Sequence, residues 1–342
     1  MTRIGVDARL IRAFGMGTYI RGLLHGLAGL GGPEQYVVFA ASGDRALLPQ
    51  QFEIVETDVP PYTIRELVVM ARLASRSRLD LLHVPHFLVP FTGLPVVTTL
   101  FDAIPFHYAM PNPRGTPYVA WMMQWAASRA ARVLTISHAA KADLLEAFDC
   151  PSEKISVTHL AVDDRFFQPV QAAPPFRYFM FSGRVARHKN MPPLLRAFEI
   201  VHRRDPELRL VLAGARHEAY AGIPGVVVPG FVPDDELVAF YAGALALVMP
   251  SFMEGFGLPP LEAMAAGTAV ITSTARALVE VTGDAALHVD PRSAEELAEA
   301  MWRIATDAGL RATLGMRGRE RARAFTWRRC AEETRAIYRD VL

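Results

Sequence analysis

Two short stretches carry most of the chemistry that this sequence can do. Gly183–Asn190 reads GRVARHKN, after an apolar run and ahead of a helical pattern whose first turn holds Pro192 and Pro193, residues suited to that place. Arg184, Lys189 and a glycine turn at Gly183 thus converge on a helix N-terminus, where unpaired N–H groups and the helix dipole favour an anion. Asn190 stands where an N-cap belongs. Lys189 is notable because Lys141 and Lys154 are the only other lysines among 36 basic residues. The plain alternative for this stretch is a solvated basic loop.

The second stretch is Pro250–Glu262, PSFMEGFGLPPLE. Glu254 falls in a loop with Gly255 and Gly257, and Glu262 opens an alanine-rich helix. Two carboxylates around a glycine turn can accept hydrogen bonds from vicinal sugar hydroxyls, while glycine N–H groups approach a phosphate closely. The plain alternative is a pair of surface charges at helix ends.

The elements that must position these loops follow from periodicity. In the N-terminal half, apolar runs at 3–8, 35–40, 81–84, 96–100 and 133–136 predict buried strands, and helical patterns cover 18–30, 64–75 and 118–130. A proline- and alanine-rich break at 168–177, QPVQAAPPFR, reads as a linker. Alternation then restarts, with strands predicted at 178–182, 208–213, 226–228, 246–249 and 269–272, and helices at 192–203, 236–242 and 261–266. Strands alternating with helices indicate parallel α/β sheets. Such sheets bind ligands beyond the carboxyl ends of their strands, and two halves on a hinge point to a ligand in a cleft between them.

Length and charge fit this reading. The 342 residues suggest about two domains. A formal charge of +1 removes the electrostatic case for a nucleic-acid partner. Cys150 and Cys330 stand too far apart for a CxxC motif, and without a disulfide framework or signal peptide the expected compartment is the reducing cytoplasm. The uncharged runs 85–101 and 237–253 are broken by proline or glycine, so no membrane span is predicted.

Taken together, GRVARHKN and EGFGLPPLE resemble the motifs of the retaining glycosyltransferases of family 4. The likeness extends to VDARLIRAFGMGTYIRGLL, TISHAAKADL, PGFVPDDELVAFYAGALALVMPS, VTGDAALHVDP and FTWRRCAEETRAIYRDVL, nearly the whole chain. It is strongest for the bacterial mannosyltransferase-like branch that builds surface polysaccharides. The resemblance implies the GT-B fold, two Rossmann-like domains facing a deep interdomain cleft. Residues 1–170 would bind acceptor, 171–326 would bind the nucleotide-sugar donor, and helix 327–342 would cross back to the first domain.

The resemblance also implies roles. Arg184 and Lys189 would hold the donor diphosphate and stabilise its developing charge. Glu262 would take the ribose hydroxyls. Glu254 would contact the sugar, with Gly183 and the N–H groups of Phe256, Gly257 and Leu258 near the donor. The turn of Gly230, Phe231 and Val232 would lie against the base. Gly15 and Gly17 would face donor phosphate or acceptor. Many relatives carry His-Asp where this chain has Phe101-Asp102; Asp102 is then a candidate for a sugar hydroxyl and His107 a candidate substitute. His83, His86 and His138 read as structural.

No histidine–carboxylate metal site is evident in the sequence, and neither a metal nor another cofactor is expected. The resemblance implies GDP-mannose as donor, with UDP-sugars next, and a glycan or lipid-linked acceptor. A sugar-nucleotide epimerase or a non-catalytic nucleotide-sugar binder are the competing functions. Finally, RGTPYVAWMMQWAASRAAR at 114–132 places Trp121, Met122, Trp125 and Ala126 on one helical face between arginines. That face suits either the core or a peripheral contact with anionic lipid at the inner membrane surface.

Overall fold

The computed structural model describes residues 1–108, 116–170, 173–214, 217–230 and 232–342. Its contacts divide the chain into two units, one of Met1–Ala161 with Thr326–Leu342, the other of Val162–Phe325.

The first unit is built on a seven-stranded parallel sheet. Its strands are β1 (Arg3–Asp7), β2 (Gln35–Ala40), β3 (Glu53–Glu56), β4 (Leu81–Val84), β5 (Val96–Thr99), β6 (Arg132–Thr135) and β7 (Ile155–Val157), in the order β3-β2-β1-β4-β5-β6-β7. The central strands read as continuous apolar runs because helices cover both faces of a parallel sheet; every residue of β4 and β5 is buried. The Met16–Leu30 helix begins at Gly15, slightly ahead of the predicted start. The Trp327–Val341 helix belongs to this unit and packs on Met16–Leu30. A Cβ at Gly22 would lie 2.1 Å from the Trp327 ring, so only glycine admits the indole there.

The second unit has a six-stranded parallel sheet. Its strands are β8 (Tyr178–Ser182), β9 (Arg209–Ala213), β10 (Val226–Gly230), β11 (Ala246–Met249), β12 (Ala269–Ser273) and β13 (Leu287–Val289), in the order β10-β9-β8-β11-β12-β13. Its core gathers Phe179 and Phe181 from β8, Leu210 and Leu212 from β9, Val248 from β11 and Ile271 from β12 with the Met191–Arg204 and Ala294–Thr306 helices. The unit starts at Val162, ahead of the proline-rich 168–177 stretch. The Val162 N–H donates to Phe325 O (3.3 Å), and Arg319 donates to Phe167 O, so the residues before that stretch pack with the second unit.

Each sheet has one point where strand order reverses, between β1 and β4 in the first and between β8 and β11 in the second. Loops leaving the carboxyl ends of such neighbours diverge to opposite sides and leave a crevice. The GRVARHKN loop follows β8 and the PSFMEGFG loop follows β11. Chain order alone thus brings the two stretches together.

Candidate functional site

After β8 the chain turns at Gly183 (φ 137°), makes a single 3-10 turn over Arg187–Lys189, and enters the Met191–Arg204 helix. After β11 it passes Glu254 and reaches the Leu258–Ala265 helix through Gly257 (φ 115°, ψ 54°). A Cβ on Gly257 would also approach Leu278 Cδ2 to 2.8 Å, so backbone angle and space both call for glycine.

The two loops are stitched together. Lys189 Nζ donates to Glu254 Oε1 at 2.7 Å, with side chains 15% and 10% exposed. The Phe252 N–H donates to His188 O (2.8 Å). Arg184 is exposed and has no ion pair among the described residues. An ammonium held by a carboxylate beside an exposed guanidinium can exchange part of that pairing for an incoming anion. Burial pushes His188 below the ordinary histidine range, with Lys189 and Arg184 adding to the effect against Glu254. The imidazole therefore adds no charge near neutral pH.

Asn190 departs from its expected role. It precedes the helix but has left-handed angles (φ 59°, ψ 46°), and its side chain makes no cap bond. Instead Nδ2 donates to Pro250 O (3.0 Å) and Pro291 O (2.6 Å). It ties the loop after β8 to the loops after β11 and β13. Prolines also remove N–H donors from the first turns of both helices, so Leu258 N–H and the dipole are what the second helix can offer an anion.

Glu262 accepts from Tyr241 Oη at 2.8 Å. Burial first, and then the neighbouring Glu262 charge, push the Tyr241 hydroxyl well above its ordinary range, so it stays a donor. Phe256 is buried against Phe325, with ring centroids 5.8 Å apart. Val232 is buried, and Phe231 lies outside the described residues. The sequence reading missed His217. It is fully buried, and its Nε2 donates to Gly183 O at 2.7 Å, fixing the glycine turn. A lone histidine between strands gives no sequence signal for that role.

In the first unit, Gly15 is the residue before the Met16–Leu30 helix, and Gly17 N–H donates to Ala13 O (2.7 Å). Asp102 Oδ1 accepts from Ile104 N–H (2.9 Å), and His107 is exposed at the end of the short Ile104–His107 helix. Phe101 packs edge-on against Tyr19 (5.3 Å). His83 is held between Tyr338 Oη (2.6 Å) and Thr99 Oγ1 (2.8 Å).

The first unit also holds a histidine–carboxylate cluster that was not evident in the sequence. Asp7 ends β1, His86 follows β4, and both meet Glu66 with ligand-type atoms within 4.8 Å of one another. Arg9 pairs with both carboxylates: Nε donates to Asp7 Oδ1 (2.9 Å) and Nη2 to Glu66 Oε1 (3.2 Å). The Leu88 N–H donates to His86 Nδ1 (3.1 Å), so the ring proton sits on Nε2 and points to Asp7 Oδ2 (3.1 Å). Asp7 is held well below the ordinary carboxylate range: burial opposes its charge, but the His86 hydrogen bond and the Arg9 charge outweigh it. Glu66 is raised, mainly by burial.

The expected lipid-facing set on the Thr116–Arg129 helix does not form one exposed face. Met122 and Ala126 are buried, Trp125 is half-buried against Phe91 (ring centroids 5.6 Å), and Trp121 is 62% exposed. Arg132 donates to Asp340 (2.6 Å), and Arg114 lies outside the described residues. The core-facing reading thus holds for Met122 and Ala126. No described helix is long and apolar enough to cross a membrane.

Comparison with known proteins agrees with these features. The model of "Glycosyltransferase Family 4" matches residues 14–166, and that of "Glycosyl transferases group 1" matches residues 162–321. The chain is 29% identical to O-antigen chain mannosyltransferase B of Escherichia coli over 280 residues, 75% of this chain and 73% of that protein. It is 33% identical to the MMP alpha-(1->4)-mannosyltransferase of Mycolicibacterium hassiacum over 233 residues, 65% of this chain and 57% of that protein. Among solved structures, sucrose-phosphate synthase from Thermosynechococcus elongatus superposes with a TM-score of 0.79 at 20% identity, covering 100% of this chain and 99% of that one. With both halves matched in order and both sheets of the Rossmann-like type, the chain belongs to the family 4 glycosyltransferases, enzymes of the GT-B fold.

Proposed function

We propose that this enzyme transfers mannose from GDP-mannose to a glycan or lipid-linked acceptor, with retention of configuration, in surface polysaccharide synthesis. The observation that carries this reading is the Lys189–Glu254 pair in the loops after β8 and β11, with exposed Arg184 in the same loop as the lysine. In this reading the diphosphate draws Lys189 and Arg184, and their fixed charge stabilises the leaving phosphate as the glycosidic bond breaks. Glu254, relieved of part of its pairing, accepts from the sugar hydroxyls. Glu262, preset by Tyr241, accepts from the ribose. Leaving phosphate takes the acceptor proton on the same face of the sugar, so no carboxylate nucleophile is required, unlike a double displacement. The mannosyltransferase names of two relatives support the choice of sugar.

A thermal-shift screen across nucleotide sugars tests the donor, since a ligand of the native state raises apparent stability. GDP-mannose should give the largest shift; a larger shift with a UDP-sugar would replace it. Incubation with donor alone should leave it intact, whereas a new sugar nucleotide would indicate epimerisation. With acceptor, the anomeric coupling of the product reads out retention.

We also propose a peripheral lipid contact for the first unit. Its support is an exposed apolar set, with Ile64 74%, Phe91 57% and Trp121 62% exposed. Weak, salt-sensitive sedimentation with anionic vesicles should fall when Trp121 is changed to Ser. Binding that ignores lipid charge, or no binding at low salt, would favour a soluble acceptor.

A further inference from the structure

The 183–190 loop that carries Lys189 is fixed at its start by the sheet. Gly183 N–H donates to Ala213 O (3.0 Å), and Gly183 O accepts from buried His217 (2.7 Å). The far end leaves the sheet and enters the Met191–Arg204 helix, which has no side-chain cap. Pro192 and Pro193 bring no N–H groups to that turn. There the buried side chain of Asn190 takes over the anchoring.

Two demands meet at this position, and asparagine answers both. The left-handed backbone (φ 59°, ψ 46°) is tolerated by asparagine far better than by most residues. Pro250 O and Pro291 O both approach one nitrogen, at 3.0 and 2.6 Å, and an amide nitrogen with two hydrogens can donate to each. Glycine would meet the first demand alone. Ionised aspartate would set a carboxylate oxygen against two carbonyls.

The anchoring bears on Lys189, the preceding residue. Its stem is long and flexible. Nζ nevertheless reaches Glu254 Oε1 (2.7 Å) while lying over the opening turn, 3.9 Å from where a Cβ on Gly183 would stand. Both ends of the stem are held, Nζ by Glu254 and the backbone through Asn190. An anion that draws the ammonium from Glu254 removes the first hold and leaves the second. The anchor therefore matters most when the site is occupied.

We propose that Asn190 is a positioning residue, holding the backbone of Lys189 so that its ammonium meets a diphosphate in a fixed place. This role rests on the proposed binding of the donor diphosphate by Lys189.

Trace acetylation of the full chain with acetic anhydride, read by mass spectrometry, tests it. Lys141 and Lys154, the only other lysines, lie in the first unit and serve as internal references. In wild type, inorganic pyrophosphate should slow the labelling of Lys189 and leave the references unchanged. Asn190→Gly allows the same backbone angles and removes both donors. Lys189 should then label about threefold faster without pyrophosphate, and half-protection should need about tenfold more of it. A melting curve accompanies each measurement. A purely structural role would lower stability and leave both Lys189 readings at wild type, and that outcome would overturn the proposal alone. No protection of Lys189 in wild type would overturn the diphosphate reading, and the proposal with it. If Asn190→Gly fails to fold, Asn190→Asp decides through labelling without pyrophosphate. Its added negative charge favours the ammonium and slows the reaction, so faster labelling can come only from release of Lys189. An equal or slower rate would overturn the proposal.

Discussion

The two sheets reverse strand order in the same way, yet they equip the reversal differently. At β1 and β4, Asp7, Arg9, Glu66 and His86 form a closed set, with the Asp7 and Arg9 side chains 2% exposed and Glu66 fully buried. At β8 and β11, Lys189 and Glu254 are 15% and 10% exposed, and Arg184 beside them is exposed. One set has neutralised its own charges inside the protein; the other keeps charge within reach of a ligand. The difference teaches that a switch point supplies only a place, while charge left accessible there is what a ligand could meet. Mutations should therefore affect stability at the first and turnover at the second.

The largest effect is expected at the sealed cluster. Arg9→Met keeps much of the side-chain volume but leaves Asp7 and Glu66 buried without their cation. Breaking a buried ion pair from one side costs about 3–5 kcal/mol. Denaturant unfolding should show a loss of that size. A loss below about 1 kcal/mol would mean that the cluster is not the scaffold it resembles.

Next comes Lys189→Ala. A preorganised donor to a developing anion contributes about 3–4 kcal/mol, so turnover should fall by two to three orders of magnitude. Stability should change far less than in Arg9→Met, since Glu254 can reach water. Initial rates and a melting curve on one preparation separate the two readings. Wild-type turnover would remove Lys189 from the site.

The first unit also predicts a pH dependence. Burial lowers His83 to about 3 in the folded protein, from an ordinary value of 6.5. Between those values the unfolded chain binds a proton that the native state does not, so stability rises with pH across the window and falls on acidification. The slope from one such group is at most about 1.4 kcal/mol per pH unit. His83→Gln should flatten that part of the pH–stability curve, while the Lys189 variant should leave it unchanged.

Much of this architecture can be read from the chain because parallel strands buried on both faces become apolar runs, as at Tyr178–Ser182 and Ala246–Met249. The strands that escape notice are at the edges. Glu53–Glu56 reads EIVE, and Ile155–Val157 and Leu287–Val289 are three residues each, too short or too polar to stand out. The same contrast holds for the sites. GRVARHKN and EGFGLPPLE concentrate glycine and charge in one stretch and announce themselves. The sealed cluster does not, because Arg9 meets Glu66 across 57 positions and His86 meets Asp7 across 79. Asn190 was legible as a helix boundary, but the carbonyls it binds at Pro250 and Pro291 exist only after folding.

The smallest expected effects concern Glu262 and its tether. Glu262→Gln keeps its size and loses charge-assisted acceptance, so donor and free nucleoside diphosphate should both bind more weakly, by about 1.5–3 kcal/mol. If only donor binding changed, Glu262 would be contacting the sugar. Tyr241→Phe leaves the carboxylate in place and removes the hydroxyl 2.8 Å from Oε2. A single positioning bond contributes about 0.5–1.5 kcal/mol, so nucleoside diphosphate affinity should drop by roughly threefold to tenfold. Tyr241 is fully buried and packs against Phe166, so the ring should stay where it is when the hydroxyl goes. The informative result is therefore a split. Nucleotide binding should weaken in Tyr241→Phe, and combining it with Glu262→Gln should add less than the sum of the two, since the tether acts only through the carboxylate. Fully additive losses would show that Tyr241 contributes by another route, and that Glu262 is oriented by its helix alone.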